Sequence, residues 1–351
     1  MSPSTANHTD IPMNRKDMDE AEEPFLPPPA SAQQAKVEKQ HPVSLIAAVV
    51  TFYFIISLSV VFLNKIIMSG SSDFPYALFV TWYQLVVALV LLLVWAHLGK
   101  TNQLFSIIPP YEFDTNVAKR VAPLTFIYVG MLALNNLCLK YVEVTFYQVA
   151  RSLSINFSIL FTYVILKKKT SRPALFACFV VFLGFLIGSY GEINFSWAGV
   201  FYGVGSSAFV ALYGIFVQKT LPAVDNNQWK LLHYNTTLAI IFLSPLVIVS
   251  GELGEIITTS EQIYSLNFWI LMTITGITGF GINIAMFLQV KYTSALTNTI
   301  SGTAKSCVQT ILAAMIFQNE ISGLNALGIF LALFGSSYYG WVRYQERIAR
   351  S

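Results

Sequence analysis

Residues 295–317 read ALTNTISGTAKSCVQTILAAMIF, and residues 144–166 read VTFYQVARSLSINFSILFTYVIL. Each stretch is long enough to cross a bilayer of about 30 Å, which takes about 20 mostly apolar residues as a helix. Each also carries one cation near its middle or first half, Lys305 in the one and Arg151 in the other. A cation at bilayer depth costs roughly 2.5–3.5 kcal/mol on insertion scales, so it faces a polar cavity and marks a path for substrate or ion. The sign of both charges calls for an anionic cargo.

The rest of the chain has the same character. Of its 351 residues 55% are hydrophobic and only 11% charged, with a mean hydropathy of +0.59. This excludes a soluble fold. Gly, Pro and charge punctuation divides the chain into ten spans: 44–66, 76–98, 121–140, 144–166, 173–190, 197–218, 230–250, 267–290, 294–318 and 322–342. The expected fold class is an all-α polytopic membrane protein. Seventeen of the 21 Lys and Arg fall on the N-terminal side of these spans and only Lys65 and Lys140 on the other, which places both termini in the cytosol. The opposite loop, 251–266, agrees: it carries Glu252, Glu255 and Glu261 and no basic residue.

Residues 1–43, polar and interrupted by Pro27-Pro28-Pro29, read as a disordered cytosolic tail. Residues 343–351 form a short tail at the other end. Cys138, Cys178 and Cys307 all lie within spans and give no pattern for a disulfide framework or a metal site. Of the sequons at Asn7, Asn156, Asn194 and Asn235, only Asn194 falls in a lumenal loop, close to the membrane.

The two halves superpose at an offset of about 151 residues: Gly130 on Gly281, Lys140-Tyr141 on Lys291-Tyr292, Ser171 on Ser322, Gly184 on Gly335, and Tyr83-Gln84 on Tyr234-Asn235. The chain thus divides into a first five-helix repeat, 44–190, and a second, 197–342. Five is odd, so the second copy enters the membrane from the opposite face. Inverted repeats of this kind serve alternating access in secondary transporters. The pairs Gly184 with Gly188 and Gly199 with Gly203 permit close helix approach, within the chain or at a homodimer seam.

On the ninth span Asn298, Ser301, Lys305 and Gln309 share one helical face; on the equivalent fourth span so do Tyr147, Arg151, Ser158 and Thr162. A guanidinium offers phosphate a planar fork and an ammonium a mobile point charge. The competing reading, a buried carboxylate partner for each cation, finds no Asp or Glu inside any span; Arg151 keeps the alternative of bonding helix-end carbonyls. The lack of membrane carboxylates also argues against a proton- or sodium-driven pump and for exchange of two anions. Lys65, ending the first span, either contacts the anionic substrate where it enters or leaves or is a snorkelling lysine. Gln84, His233, Tyr234 and Asn235 offer the stacking faces and amide groups that a nucleobase edge needs, with Asn136 a further candidate. No nucleophile with a base, metal cluster or phosphate-cradling loop occurs, so neither catalysis nor a cofactor is expected. Nor is a nucleic-acid partner.

The strings Phe62-Leu63-Asn64-Lys65, Asn135-Asn136-Leu137-Cys138-Leu139-Lys140-Tyr141, Phe146-Tyr147-Gln148-Val149-Ala150-Arg151-Ser152-Leu153 and Ser301-Gly302-Thr303-Ala304-Lys305-Ser306 closely resemble the Golgi GDP-fucose transporters. These belong with the nucleotide-sugar and triose-phosphate translocators of the drug/metabolite transporter superfamily. The resemblance implies ten helices in inverted repeats, a Golgi membrane and import of GDP-fucose in exchange for GMP. In the related GDP-mannose carriers a Phe-Tyr-Asn-Asn string reads guanine and a Gly-Ala-Leu-Asn-Lys string serves the phosphate and sugar end. The corresponding residues here are His233-Tyr234-Asn235-Thr236, which departs at its first and last positions, and Ser301-Gly302-Thr303-Ala304-Lys305, which adds Thr303 to the expected contacts. Other nucleotide sugars and phosphorylated metabolites share this scaffold, and the endoplasmic reticulum is an alternative compartment. From another class, a nucleotide-sensing receptor or scaffold would bind without counterflow.

Overall fold

The computed structural model describes residues 43–69, 74–101, 108–110, 112–167, 170–191, 196–292, 295–317 and 322–348. Asn194, most of the N-terminal tail and the last three residues lie outside these, as do the side chains of Asn298 and Thr303. Among the described residues every regular element is helical: α1 (Val43–Ser69), α2 (Ala77–Thr101), α3 (Thr115–Tyr141), α4 (Val144–Ser152), α5 (Ser154–Leu166), α6 (Arg172–Tyr190), α7 (Trp197–Thr220), α8 (Gln228–Val249), α9 (Glu252–Thr259), α10 (Leu266–Tyr292), α11 (Ala295–Phe317) and α12 (Gly323–Ile348), with two short 3-10 turns. Seven of these helices, α1 to α3, α6 to α8 and α10, are long and apolar enough to cross a membrane. Large apolar side chains such as Phe126, Phe176, Phe201 and Phe330 lie exposed on the outside, where lipid would cover them.

The three expected spans outside that set differ for local reasons. The fourth is broken into α4 and α5 at Leu153. Ser152 Oγ donates to the Val149 carbonyl and Ser154 Oγ to the Arg151 carbonyl, while Ser207 from α7 takes the Ala150 carbonyl at 2.7 Å. Hydroxyls competing for main-chain acceptors loosen the ladder and kink a helix at such a point. The ninth is a single helix, α11, with Ser301, Lys305, Ser306, Gln309 and Thr310 set along it. The tenth, α12, continues past the expected end at 342 through a polar turn in which Arg343 pairs with Glu346 at 2.9 Å.

Both glycine pairs are used within the chain. A Cβ added to Gly184 would fall 2.6 Å from the backbone nitrogen of Ala332, and one on Gly328 would fall 2.3 Å from Cα of Gly188, so α6 and α12 meet backbone to backbone. Likewise Gly199 abuts Val142 and Gly203 abuts Ala150. The same α6–α12 seam brings Gly335 against Val181. Elsewhere α3 packs on α7 and α8, α1 and α2 on α10, and α11 on α12, α4 and α1.

Two caps fix helix ends across the bundle. Lys65, from the last turns of α1, donates to the carbonyls of Leu139 and Val142 at 2.9 and 2.7 Å, closing the C-terminus of α3. Glu252 accepts from the amides of Leu78 and Phe79 at 3.3 and 2.8 Å, closing the N-terminus of α2 with a negative charge at its positive end.

Candidate functional site

Two polar faces meet across α1. On α11, Ser301 Oγ accepts from the amide of Gln289 on α10, and one turn on, Lys305 Nζ donates to Ser57 Oγ of α1 at 2.7 Å. The same ammonium lies 5.8 Å from the ring centroid of Tyr53, one turn before Ser57. Arg151 lies close enough to both Tyr53 and Lys305 for its charge to act on them. On α4, Arg151 donates from Nη1 to the hydroxyl of Tyr147 at 2.7 Å, and Tyr147 in turn donates to Asn135 Oδ1 on α3 at 3.5 Å. Contacts therefore run from Asn135 through Tyr147 to Arg151 on α4, and from Tyr53 and Ser57 of α1 to Lys305 on α11, a helix that packs on both α1 and α4.

Among the described residues neither cation is paired with a carboxylate; the ion pairs are Lys230 with Asp225 and Arg343 with Glu346. Both are held by neutral hydroxyls, which an incoming anion can displace or join. Two like charges so placed repel one another, and a phosphate group between or beside them relieves that repulsion. The arrangement can bind and release an anion; among the described residues no group of His, Cys, Asp or Glu could hold a metal.

The remaining sequence candidates fall into three places. Asn136 and Gln84 belong to a buried network between α1, α2 and α3: Gln84 donates to Asn64 Oδ1 at 2.6 Å, Asn64 to Asn136 Oδ1 at 3.4 Å, and Asn136 to Thr81 Oγ1 at 2.6 Å. Lys65, expected at a point of anion entry or exit or as a snorkelling residue, is occupied at the α3 terminus as described. On α8, Tyr234 turns its hydroxyl to the segment before α3, donating to the Glu112 carbonyl and accepting from the Asp114 amide, both at 2.8 Å, with its ring 5.6 Å from that of Phe113. Asn235 and His233 are both 2% exposed, and Asn235 Oδ1 meets no hydrogen-bond partner among the described residues. Asn298 and Thr303 lie on α11, but their side chains are outside the described ones.

Tyr53 and Ser57 were not among the sequence candidates. Their signal was present in the chain, since they stand four apart on a mostly apolar helix, the spacing that puts two side chains on one face.

A helical membrane bundle whose Lys305 and Arg151 meet no carboxylate among the described residues has the build of a transporter, and residues 44–340 match the Triose-phosphate Transporter family. The chain belongs to that family. It is 51% identical to "GDP-fucose transporter 1" of Dictyostelium discoideum over 303 residues, 86% of this chain and 82% of that protein. It is 41% identical to "GDP-fucose transporter 1" of Mus musculus over 302 residues, 85% of this chain and 83% of the mouse protein. A solved structure described only as "Crystal structure of protein" aligns with a TM-score of 0.51 at 12% identity, covering 84% of this chain and 97% of that one, a likeness of fold alone.

Proposed function

We propose that this protein carries GDP-fucose across the Golgi membrane in exchange for GMP, by alternating access, without chemical change to either. The observation that carries the reading is the pair Lys305 and Arg151, held by the hydroxyls of Ser57 and Tyr147 and, among the described residues, without a carboxylate partner. Relatives named for GDP-fucose transport at 51% and 41% identity over most of the chain supply the cargo. Lys305 and Arg151 would hold the pyrophosphate, with Tyr147 orienting the guanidinium. Asn235, whose buried carbonyl oxygen has no partner among the described residues, would meet the guanine, beside His233 and the ring of Tyr234.

The ten spans would form two inverted repeats, residues 44–190 and 197–342, with both termini in the cytosol. The α6–α12 seam supports this: replacing each residue by its counterpart 151 positions away in the other half turns the contact of Gly184 with Ala332 into that of Gly335 with Val181, the two helices exchanging places as a two-fold axis requires. Exchange follows from the charge. The empty cationic centre resists reorientation, and either bound anion neutralises it and lets the halves rock.

Purified protein in liposomes loaded with GMP tests the reading. Labelled GDP-fucose should accumulate in loaded vesicles and not in empty ones; equal uptake into both would sink the exchange mechanism. Preference for GDP-mannose or a UDP-sugar would replace the cargo, and binding without uptake would make the protein a receptor.

A further inference from the structure

The polar face of α11 has a fourth member with no role so far. Gln309 stands one turn beyond Lys305 and two beyond Ser301, and the bonds of those two residues turn this face toward α1 and α10. Its side chain is wholly buried, at 0% exposure, and neither its amide nitrogen nor its carbonyl oxygen meets a hydrogen-bond partner among the described residues. Buried polar atoms are nearly always satisfied, and one left open calls for a ligand or another explanation. Helix packing in lipid gives no such reason, since an apolar side chain of the same length would fill the space without the cost of desolvating an amide.

The chemistry of the group selects its partner. A primary amide donates through nitrogen and accepts through oxygen, so it is fully satisfied only by a group that does both. Phosphate oxygens accept only; sugar hydroxyls accept and donate. Position selects the same partner. Four residues along a helix make about 6 Å, a step comparable with that from a phosphate to the sugar it carries. The nucleobase end would lie at Asn235 on α8, which packs against α2 and α3, whereas α11 packs against a different set, α1, α4 and α12. We infer that Gln309 binds the hydroxyls of the transported sugar and is a specificity-determining residue of the carrier, satisfied by the nucleotide sugar and left open by the nucleoside monophosphate. This rests on the reading of Lys305 as the phosphate ligand.

The test is competition in reconstituted vesicles. Labelled GDP-fucose exchange is inhibited with unlabelled GDP-fucose and, separately, with GMP, for the wild type, Gln309→Leu and Lys305→Ala. Gln309→Leu should raise the GDP-fucose concentration for half-inhibition about tenfold, equivalent to about 1.4 kcal/mol, relative to that for GMP. Gln309→Met carries the same test if the leucine variant fails to fold. A ratio equal to that of the wild type, whether both ligands weaken together or neither does, overturns the assignment. Lys305→Ala separates the two readings: it should weaken both ligands, and if it weakens neither the phosphate site itself is wrong, whatever Gln309 does.

Discussion

Lys305 and Ser57 are 248 positions apart in sequence, and the ammonium of the first donates to the hydroxyl of the second at 2.7 Å. A neutral hydroxyl is the weakest partner that a buried ammonium can have without being orphaned, and it does not cancel the charge. Removing the charge should therefore remove the anion's main contact. Lys305→Ala is expected to lower GDP-fucose exchange about 100-fold, since truncating one partner of a buried charge pair costs roughly 2–5 kcal/mol. Ser57→Ala should do the opposite to the ligand. With the ammonium left bare, the empty protein loses about 1–3 kcal/mol, and the rise in melting temperature on adding GDP-fucose should exceed that of the wild type. A smaller rise would mean that Ser57 is itself a ligand contact.

Lys65 should behave as a structural residue. Its ammonium satisfies two carbonyls at the end of α3, Leu139 and Val142. Lys65→Met would retain most of the aliphatic length and leave both carbonyls without the ammonium, lowering stability by about 1–3 kcal/mol in a thermal melt. Half-saturation by GDP-fucose in the folded fraction should stay within about threefold of the wild type, a change below 1 kcal/mol. A drop in affinity without a drop in melting temperature would return Lys65 to the anion path.

The contrast between these two lysines marks how much of the site was legible in the sequence. Charge inside an apolar run is visible in the chain itself, because bilayer cost makes every such cation an anomaly; that exposed Lys305 and Arg151. Helix positions followed from the same apolar patterning, and the ends of α3 and α10, at Tyr141 and Tyr292, fall in the two narrow gaps that charge had marked. What the pattern could not give was the partner. Lys65 at a span end looks the same whether it meets solvent, phosphate or a neighbouring helix terminus, and only the α1–α3 packing decides. Tyr234 likewise sits at helical spacing from the core, yet its hydroxyl reaches a loop more than 110 residues earlier. The break at Leu153 was hidden because its cause is partly remote: Ser207 of α7 takes the carbonyl of Ala150.

Tyr234 and Asn235 should separate on mutation although they are adjacent. Tyr234→Phe deletes a hydroxyl that ties the Glu112 carbonyl and the Asp114 amide, both just before α3, and leaves the ring in place. Two hydrogen bonds at roughly 0.5–1.5 kcal/mol each are at stake, so the melting temperature should fall while the selectivity for GMP over other nucleoside monophosphates holds. Asn235→Leu removes a buried carbonyl oxygen that has no partner among the described residues. It should leave stability level or improved and erase the preference for guanine, read by inhibition with GMP, UMP and CMP. Retained guanine preference in the leucine variant would remove Asn235 from the base site.

Glu252 gives the loop after α8 a pH response. Burial raises its carboxyl above the usual value, against the opposing effect of the Phe79 and Leu78 amides. A carboxyl raised by folding binds more protons in the native than in the unfolded protein, so its contribution to stability falls as pH rises from the ordinary carboxylate value through the raised one. Melting temperatures taken across that window should decline toward its upper end for the wild type and vary less for Glu252→Gln, once the remaining titration common to both is subtracted. Parallel profiles would mean that the carboxyl is not perturbed by folding.

The α6–α12 seam offers a test of the inverted repeat that needs no transport assay. Gly184 meets Ala332, and its counterpart at an offset of 151, Gly335, meets Val181, with Cβ atoms falling 2.6 and 2.7 Å from their nearest neighbours. Any side chain at either position must push the two helices apart, and overpacking of this kind typically costs about 1–3 kcal/mol. If the halves are related by a two-fold axis along this seam, Gly184→Leu and Gly335→Leu strain one interface in equivalent ways. Their losses in melting temperature should be similar, and the double variant should lose less than the sum, because the first substitution has already opened the seam that the second would open. Strictly additive losses would mean that the two glycines belong to independent contacts. Gly279, whose Cβ would meet nothing within 4 Å, supplies the control: Gly279→Ala should leave the melting temperature unchanged or raise it slightly, as a glycine removed from a helix interior does.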